Sequence, residues 1–152
     1  MSKDFWGPSI WYVFHTLAEK LKPDCDDEIQ TILYHFKQVC DNLPCPSCTA
    51  HATETLHKAK LDKIKTRDDL KLFFLEFHNM VNKRLNKPKF SMDECNTLYA
   101  RANTIKIVNN FIAVMKSNQI ASEKTMMNTL TRHLSVDGLA KYVKNNGYKF
   151  NP

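Results

Sequence analysis

The feature that most restricts this chain is a helical period carried almost from end to end, with few of the alternating runs a strand needs. Only three glycines interrupt it. In residues 8–22 the apolar set Ile10, Trp11, Phe14, Leu17, Ala18 and Leu21 falls on one helix face. Pro8 suits the first turn of that helix, and Pro23 stops it. Acids then crowd the stretch "DCDDE", which favours the start of a second helix. Ile29, Ile32, Leu33, Phe36, Val39 and Cys40 line its buried face, and residues 42–44 end it.

A third helix is expected from Cys45 or Pro46 to about Lys58, followed by a connection over 59–65. "TRDD" at 66–69 has the layout of a capping box, with Asp in the place of Glu or Gln. The helix it opens carries Leu70, Phe73, Phe74, Phe77, Val81 and Leu85, and "NKP" at 86–88 terminates it. "SMDE" at 91–94 is a full capping box for a short fifth helix reaching about Ala102. Beyond that point cysteine and tryptophan disappear. Three more helices are expected, at about 104–116, 123–133 and 136–146, with Ser122 and Ser135 as caps and Gly147 as a stop. The expectation is therefore an all-α protein: a helical core at 1–102 and a helical C-terminal extension at 103–152.

Length and composition fit that picture. A chain of 152 residues, 43% apolar and 25% charged, can build one domain with a real core. The formal charge of +6 is spread along the sequence, which reads as a solvated basic surface and not as a nucleic-acid footprint. The longest early apolar run is "IWYVF", far short of a membrane span, and "MSKDFWGPSI" lacks the layout of a secretory signal. These features predict a protein made in the cytosol, with no membrane and no nucleic-acid partner. Five cysteines leave at least one without a partner inside the chain.

Cys45 and Cys48, in "LPCPSCTAHA", raise the question of chemistry. Residues three apart on a helix have Cβ atoms roughly 5–6 Å apart, whereas a disulfide wants about 3.5–4.5 Å. A slightly tightened first turn closes that gap, so the pair can cycle between dithiol and disulfide. Free N–H groups at the helix start favour the thiolate, the reactive form. A thioredoxin fold uses the same spacing but needs strands. Zinc is the stronger rival, since Cys40, Cys45, Cys48 and His51 offer four ligands from one segment, though in no common finger spacing. That rival predicts a non-catalytic helical zinc-binding module.

Two other blocks suggest an electron acceptor. "WGPSIWYVFH" sets Trp11 and His15 four apart, and "HNMVNKRLNKPKF" sets His78 and Asn82 four apart with Asn79 and Asn86 alongside. Polar groups at that spacing among phenylalanines can line an apolar pocket for a planar ring. Lys83, Lys87 and Lys89 can meet a pyrophosphate. No Gly-x-Gly-x-x-Gly is present to mark a Rossmann nucleotide site.

Taken together, "WGPSIWYVFHTLA", "LPCPSCTAH" and "HNMVNKRLNKPKF" resemble the Erv/ALR family of FAD-linked sulfhydryl oxidases, especially the short forms encoded by large DNA viruses. The resemblance covers about residues 5–100. It implies a four-helix bundle plus a short fifth helix, a homodimer, and noncovalent FAD. It implies oxidation of two thiols by dioxygen to a disulfide and hydrogen peroxide. Cys48 would be the flavin-proximal cysteine and attack the isoalloxazine; Cys45 would exchange with the substrate thiol. Gly7, Trp11, His15 and His51 would belong to the flavin pocket. His78, Asn79, Asn82, Leu85, Lys87 and Lys89 would contact the adenosine and phosphate end, closed by Tyr99 where the family often has tryptophan.

The resemblance also implies partners: protein dithiols or a thioredoxin-like electron donor. It implies a location in host cytoplasm at viral assembly sites, and in the virion. The chain departs from the family in two further ways. Leu75 and Met92 stand where many members have a structural disulfide, and the tail lacks a shuttle cysteine pair. Cys25, Cys40 and Cys95 are left as singles that either relay electrons or stay buried thiols.

Overall fold

Helix α1 (Lys3–Lys20) is the element on which α4 (Arg67–Arg84), α5 (Met92–Ala100) and α6 (Thr104–Met115) pack. The computed structural model describes residues 3–117 and 126–152. In order, α2 is Ile29–Cys40, α3 Pro46–Lys58, α4 Arg67–Arg84, α5 Met92–Ala100, α6 Thr104–Met115 and α7 Met126–Asn146. Short 3-10 turns lie at Asp26–Glu28, Leu61–Lys63 and Gly147–Lys149. Among the described residues the sole β-type contact is an isolated bridge between Leu21 and Phe150. The protein is all-α.

The expected apolar faces are the buried ones. Ile29, Ile32, Leu33, Phe36, Val39 and Cys40 of α2 are all buried, as are Ile10, Phe14, Leu17, Ala18 and Leu21. Phe14, Phe36 and Phe74 meet edge-on or tilted at 4.9–5.8 Å in the centre. A fully buried phenylalanine or leucine contributes about 1.5–3 kcal/mol, so this aromatic centre is a large part of what holds α1, α2 and α4 together.

Several local expectations need correcting. α1 begins at Lys3, so Pro8 lies inside the helix instead of in its first turn. Gly7 helps explain why the helix survives: without a Cβ it avoids the clash that proline imposes on a helical neighbour. Burial of Trp6 and Ile10 on one side then carries the helix through. Of the two expected capping boxes, the first forms in full and the second only in half. At Thr66 and Asp69 both reciprocal bonds form, whereas Ser91 caps α5 through Glu94 N–H alone. α4 ends in a Schellman motif: Lys87 N–H donates to Asn82 O at 2.8 Å and Asn86 N–H to Lys83 O at 3.2 Å. Asn86 takes the left-handed position at φ 56°.

The expected break at Ser135 is absent. One helix runs from Met126 to Asn146, and the Ser135 hydroxyl donates inside it to Arg132 O at 2.7 Å. Its buried stripe of Arg132, Val136, Leu139 and Val143 continues without interruption, so nothing ends it there. Ser122 lies outside the described residues. Gly147 follows the last α-helical residue, as expected.

Helices α6 and α7 share the core and do not build their own. Phe111, Met115, Val136 and Leu139 are fully buried in the same cluster as Phe14 and Phe36. A smaller cluster of Leu75, Cys95 and Tyr99, with Phe90, Met92 and Leu98 packed against it, joins α4 to α5. Leu75 and Met92 thus make an apolar contact region at the positions where the resemblance would have put a disulfide.

Candidate functional site

Cys45 is the N-cap of α3 and Cys48 is its third residue. Pro46 fills the first helical position, where a missing N–H costs nothing. The Cys45 backbone is extended (φ −116°, ψ 115°), and its sulfur accepts the Cys48 N–H at 3.3 Å. A sulfur thus does what a serine oxygen normally does at a helix start, and it does so better as an anion. Ser47 Oγ lies 3.2 Å from the same sulfur.

Electrostatics separate the two thiols. Burial pushes Cys45 up, but hydrogen bonds from Cys48 and Ser47, with Lys3 nearby, outweigh it and leave its pKa below the ordinary thiol value. Cys48 is pushed up to about 11, by burial first and then by the neighbouring Cys45 sulfur; Lys3 and Arg84 oppose this. In the dithiol the negative charge therefore belongs to Cys45, with Cys48 as its hydrogen-bond donor. Sequence reasoning put the thiolate at the helix start without separating the two positions.

Cys48 opens into a cavity of about 400 Å³, within the usual range for small-molecule sites. Its wall includes Gly7, Trp11, His51, His78, Asn82, Leu85, Lys87 and Tyr99. Trp11 and His78 stack at 4.3 Å with planes 8° apart. His15 does not line the cavity. It sits behind, its Nε2 2.9 Å from Nδ1 of His78, and its ring stacks on Tyr99 at 4.6 Å. One of these two histidines must donate and the other accept, so both cannot be charged. Burial holds His15 down at about 3 and His78 at about 4; the charge of His78 adds to the first shift and Lys87 to the second. Both are neutral at physiological pH.

Other candidates act around the cavity. Asn79 is spent on the backbone: its Nδ2 donates to Phe90 O at 2.9 Å and its Oδ1 accepts Phe90 N–H at 2.8 Å. Asn82 Nδ2 donates to Pro88 O at 3.1 Å. These two asparagines fix the 85–90 loop that forms one rim. Lys87 reaches the cavity and pairs with Asp4 at 2.5 Å. Lys83 and Lys89 are exposed and do not line it. His51 does, and burial followed by Arg84 keeps its pKa below the ordinary value.

The sequence reading missed Lys3 and Arg84, the two cations that act on Cys48. Arg84 was harder to find, since it lies two residues after Asn82 and off the face that carries His78 and Asn82, with only Val81 three residues before it as a link to the cavity. Lys3 was out of reach, because the helix was expected to start five residues later. Cys40 also lines the cavity as a buried thiol with a raised pKa, whereas Cys95 is buried in the α4–α5 cluster and Cys25 is part-exposed beside Asp24.

The proposed zinc set does not assemble: no group of three or more His, Cys, Asp or Glu among the described residues is placed to hold a metal ion. No helix among them is long and apolar enough to cross a membrane.

A fused-ring cofactor fits what is present. The cavity is walled largely by apolar side chains beside a redox-capable thiol. A Cβ added at Gly7 would meet nothing within 4 Å, so that part of the wall is open. Lys3, Arg84 and Lys87 supply positive charge along the wall for phosphates.

Comparison with known proteins bears on this arrangement. A model of the Erv1 / Alr family matches residues 8–101. The FAD-linked sulfhydryl oxidase of African swine fever virus, isolate Tick/Malawi/Lil 20-1/1983, is 32% identical over 105 residues, covering 66% of this chain and 87% of that protein. The same enzyme from isolate Pig/Kenya/KEN-50/1950 is 31% identical over 99 residues, covering 64% and 82%. A protein of Invertebrate iridescent virus 3 is 35% identical over 88 residues, or 57% of this chain; the match spans only 60% of that relative's length. No solved structure matches the chain. The family match stops at residue 101, yet the core continues into α6 and α7.

Proposed function

This chain belongs to the Erv1/Alr family, and on that premise we propose that it is an FAD-linked sulfhydryl oxidase that makes disulfides in protein substrates. The observation that carries the reading is the position of Cys48, a cysteine of a Cys-x-x-Cys pair that lines a cavity walled by stacked Trp11 and His78. Trp11, His51, His78, Asn82, Leu85, Lys87 and Tyr99 would hold the FAD, with Lys3 and Arg84 adding charge. His15 and Asn79 would act through His78 and the 85–90 loop. Bound there, the flavin would accept an electron pair from the reduced cysteines and pass it to dioxygen, giving hydrogen peroxide.

The chain's own residues account for the exchange steps. A substrate thiolate attacks Cys45 of the oxidised pair; a substrate–Cys45 bond forms, the Cys45–Cys48 bond breaks, and Cys48 leaves carrying the electron pair. A second substrate thiolate then attacks the first substrate sulfur and releases Cys45. A low-pKa thiol leaves faster. The hydrogen bonds that favour the Cys45 thiolate therefore speed release of the finished disulfide. Two substrate thiols have become one disulfide, and Cys45 and Cys48 hold the pair of electrons.

The substrates are protein dithiols, or a thioredoxin-like donor between them and this enzyme. A homodimer acting in host cytoplasm at viral assembly sites, and carried in the virion, completes the reading. The test is direct. Purified protein should be yellow, with a flavin absorption spectrum, and should consume oxygen with dithiothreitol. Cys48→Ser should keep the flavin and lose turnover. Folded, colourless protein that cannot be loaded with FAD would overturn the reading.

A further inference from the structure

Resting on the thiol-oxidase reading, we propose that Arg132 selects substrates by binding a carboxylate carried next to the cysteine that attacks Cys45. A second cavity of about 280 Å³ lies between the loop before α3 and helix α7. Asp41, Asn42, Pro44, Pro46, Thr49, Asn128 and Arg132 all line it. Pro44 and Pro46 are the two chain neighbours of Cys45. A polypeptide whose cysteine meets Cys45 would lay its adjoining residues in this cleft, because an extended chain advances only about 3.3 Å per residue.

Arg132 is the unusual member. It occupies the buried stripe of α7 together with Val136, Leu139 and Val143, and is only 2% exposed. A cation in that position is costly without a partner. One of its N–H groups is used, Nε donating to Met115 O at 3.3 Å, which caps the end of α6. Among the described residues no carboxylate pairs with the guanidinium. Asp41 shares the cleft, but Lys37 and Thr53 occupy its two oxygens at 2.8 and 3.1 Å. Asp137, one turn further along α7, pairs with Lys116. Capping α6 takes a single donor; Arg132 also lines the cleft, and a carboxylate is the group its planar fork fits best. Burial also lowers the Arg132 pKa, a penalty that an incoming anion would relieve. α7 lies outside the family match, so this selectivity would belong to the extension.

The experiment uses the flavin-loaded full chain and short dithiol peptides with Asp, Asn or Lys placed one to three residues from the attacking cysteine. Dithiothreitol serves as a substrate that carries no carboxylate. At one of those positions wild type should prefer Asp over Asn by about tenfold in kcat/KM, with Lys poorer than Asn. Arg132→Gln should bring the Asp/Asn ratio to about one. Asn128→Asp tests the same point without touching the core. Asn128 is exposed and four residues before Arg132, so the new carboxylate can occupy the guanidinium and should also abolish the preference.

A wild-type ratio near one at every position, with normal dithiothreitol turnover, overturns this inference alone. So does a preference that persists in folded Arg132→Gln or in Asn128→Asp. Absence of dithiothreitol turnover in wild type overturns the oxidase reading and this inference with it.

Discussion

His15 and His78 at the α1–α4 junction, and Glu28, Tyr142 and Lys149 at the α2–α7 junction, are both buried polar clusters built from residues far apart in sequence. The first is neutral: two imidazoles share one hydrogen bond at 2.9 Å, and their rings stack against Trp11 and Tyr99 beside a cavity. The second is ionic. Glu28 accepts the Tyr142 hydroxyl at 2.9 Å on one oxygen and pairs with Lys149 through the other. None of its members lines either cavity. Neutral rings can stack on Trp11 and Tyr99 with no charge left to solvate, which suits the support of an apolar binding wall. A closed charge cluster uses up its donors and acceptors, which suits a clamp. The clamp ties the last helix and the C-terminal turn to α2; the wall serves the chemistry.

The largest effect should come from breaking the clamp. Glu28→Ala leaves the Tyr142 hydroxyl without its charged acceptor and releases Lys149, and should cost about 1.5–3 kcal/mol through the lost Tyr142 bond. For a chain of this size that lowers Tm by about 3–12 °C. Flavin content and turnover per folded molecule should not change. Calorimetry together with an absorption spectrum checks both halves. A parallel loss of flavin would mean that the two regions are not separable.

Acid should separate the regions in the opposite direction. His15 and His78 are held at about 3 and 4 in the folded protein, largely by burial, against 6.5 when unfolded. Above 6.5 both states are neutral and pH has no effect through them. As pH falls below 6.5 the unfolded chain takes up protons that the folded chain refuses, so stability drops by roughly 1.4 kcal/mol per unit per histidine. Glu28 behaves differently. Burial raises its pKa, but Lys149 and Tyr142 outweigh this and hold it below the ordinary carboxylate value. Its contribution is complete above about 4.5 and is lost only at lower pH. Flavin-free protein should therefore lose Tm between pH 6.5 and 5, and Glu28→Ala should show the same slope from a lower starting point. A flat profile would mean that the histidine pair is not buried as neutral rings.

Much of this was legible in the sequence, because helix faces and caps are local. Every apolar residue assigned to the face of α2 is buried, and the cavity brings Trp11, Cys48, His78 and Asn82 together from three separate blocks. Pro8 inside α1 was not legible, because burial of Trp6 outweighs a breaker signal. Nor was the unbroken α7, where a serine that looks like a cap bonds back into its own helix. The acids at 24–28 read as a helix N-terminus, yet Glu28 is spent on a tyrosine 114 residues away. Contacts of that separation leave no periodic trace.

The finest contrast uses one chemical change in both regions. Tyr142→Phe removes a hydroxyl that donates to a charged acceptor, and should cost about 1.5 kcal/mol, or about 3–6 °C in Tm. Tyr99→Phe removes a hydroxyl that makes no hydrogen bond among the described residues. What holds Tyr99 is its ring, stacked on His15 at 4.6 Å and edge-on to Tyr12 at 5.6 Å, and phenylalanine keeps both contacts. Its Tm should therefore stay within about 1 °C of wild type, and flavin should be retained. If Tyr99→Phe costs as much as Tyr142→Phe, polar bonding and not ring packing holds the cavity wall, and the wall is a second clamp. If Tm holds but flavin is lost, the hydroxyl itself contacts the cofactor, a role that ring stacking alone does not require.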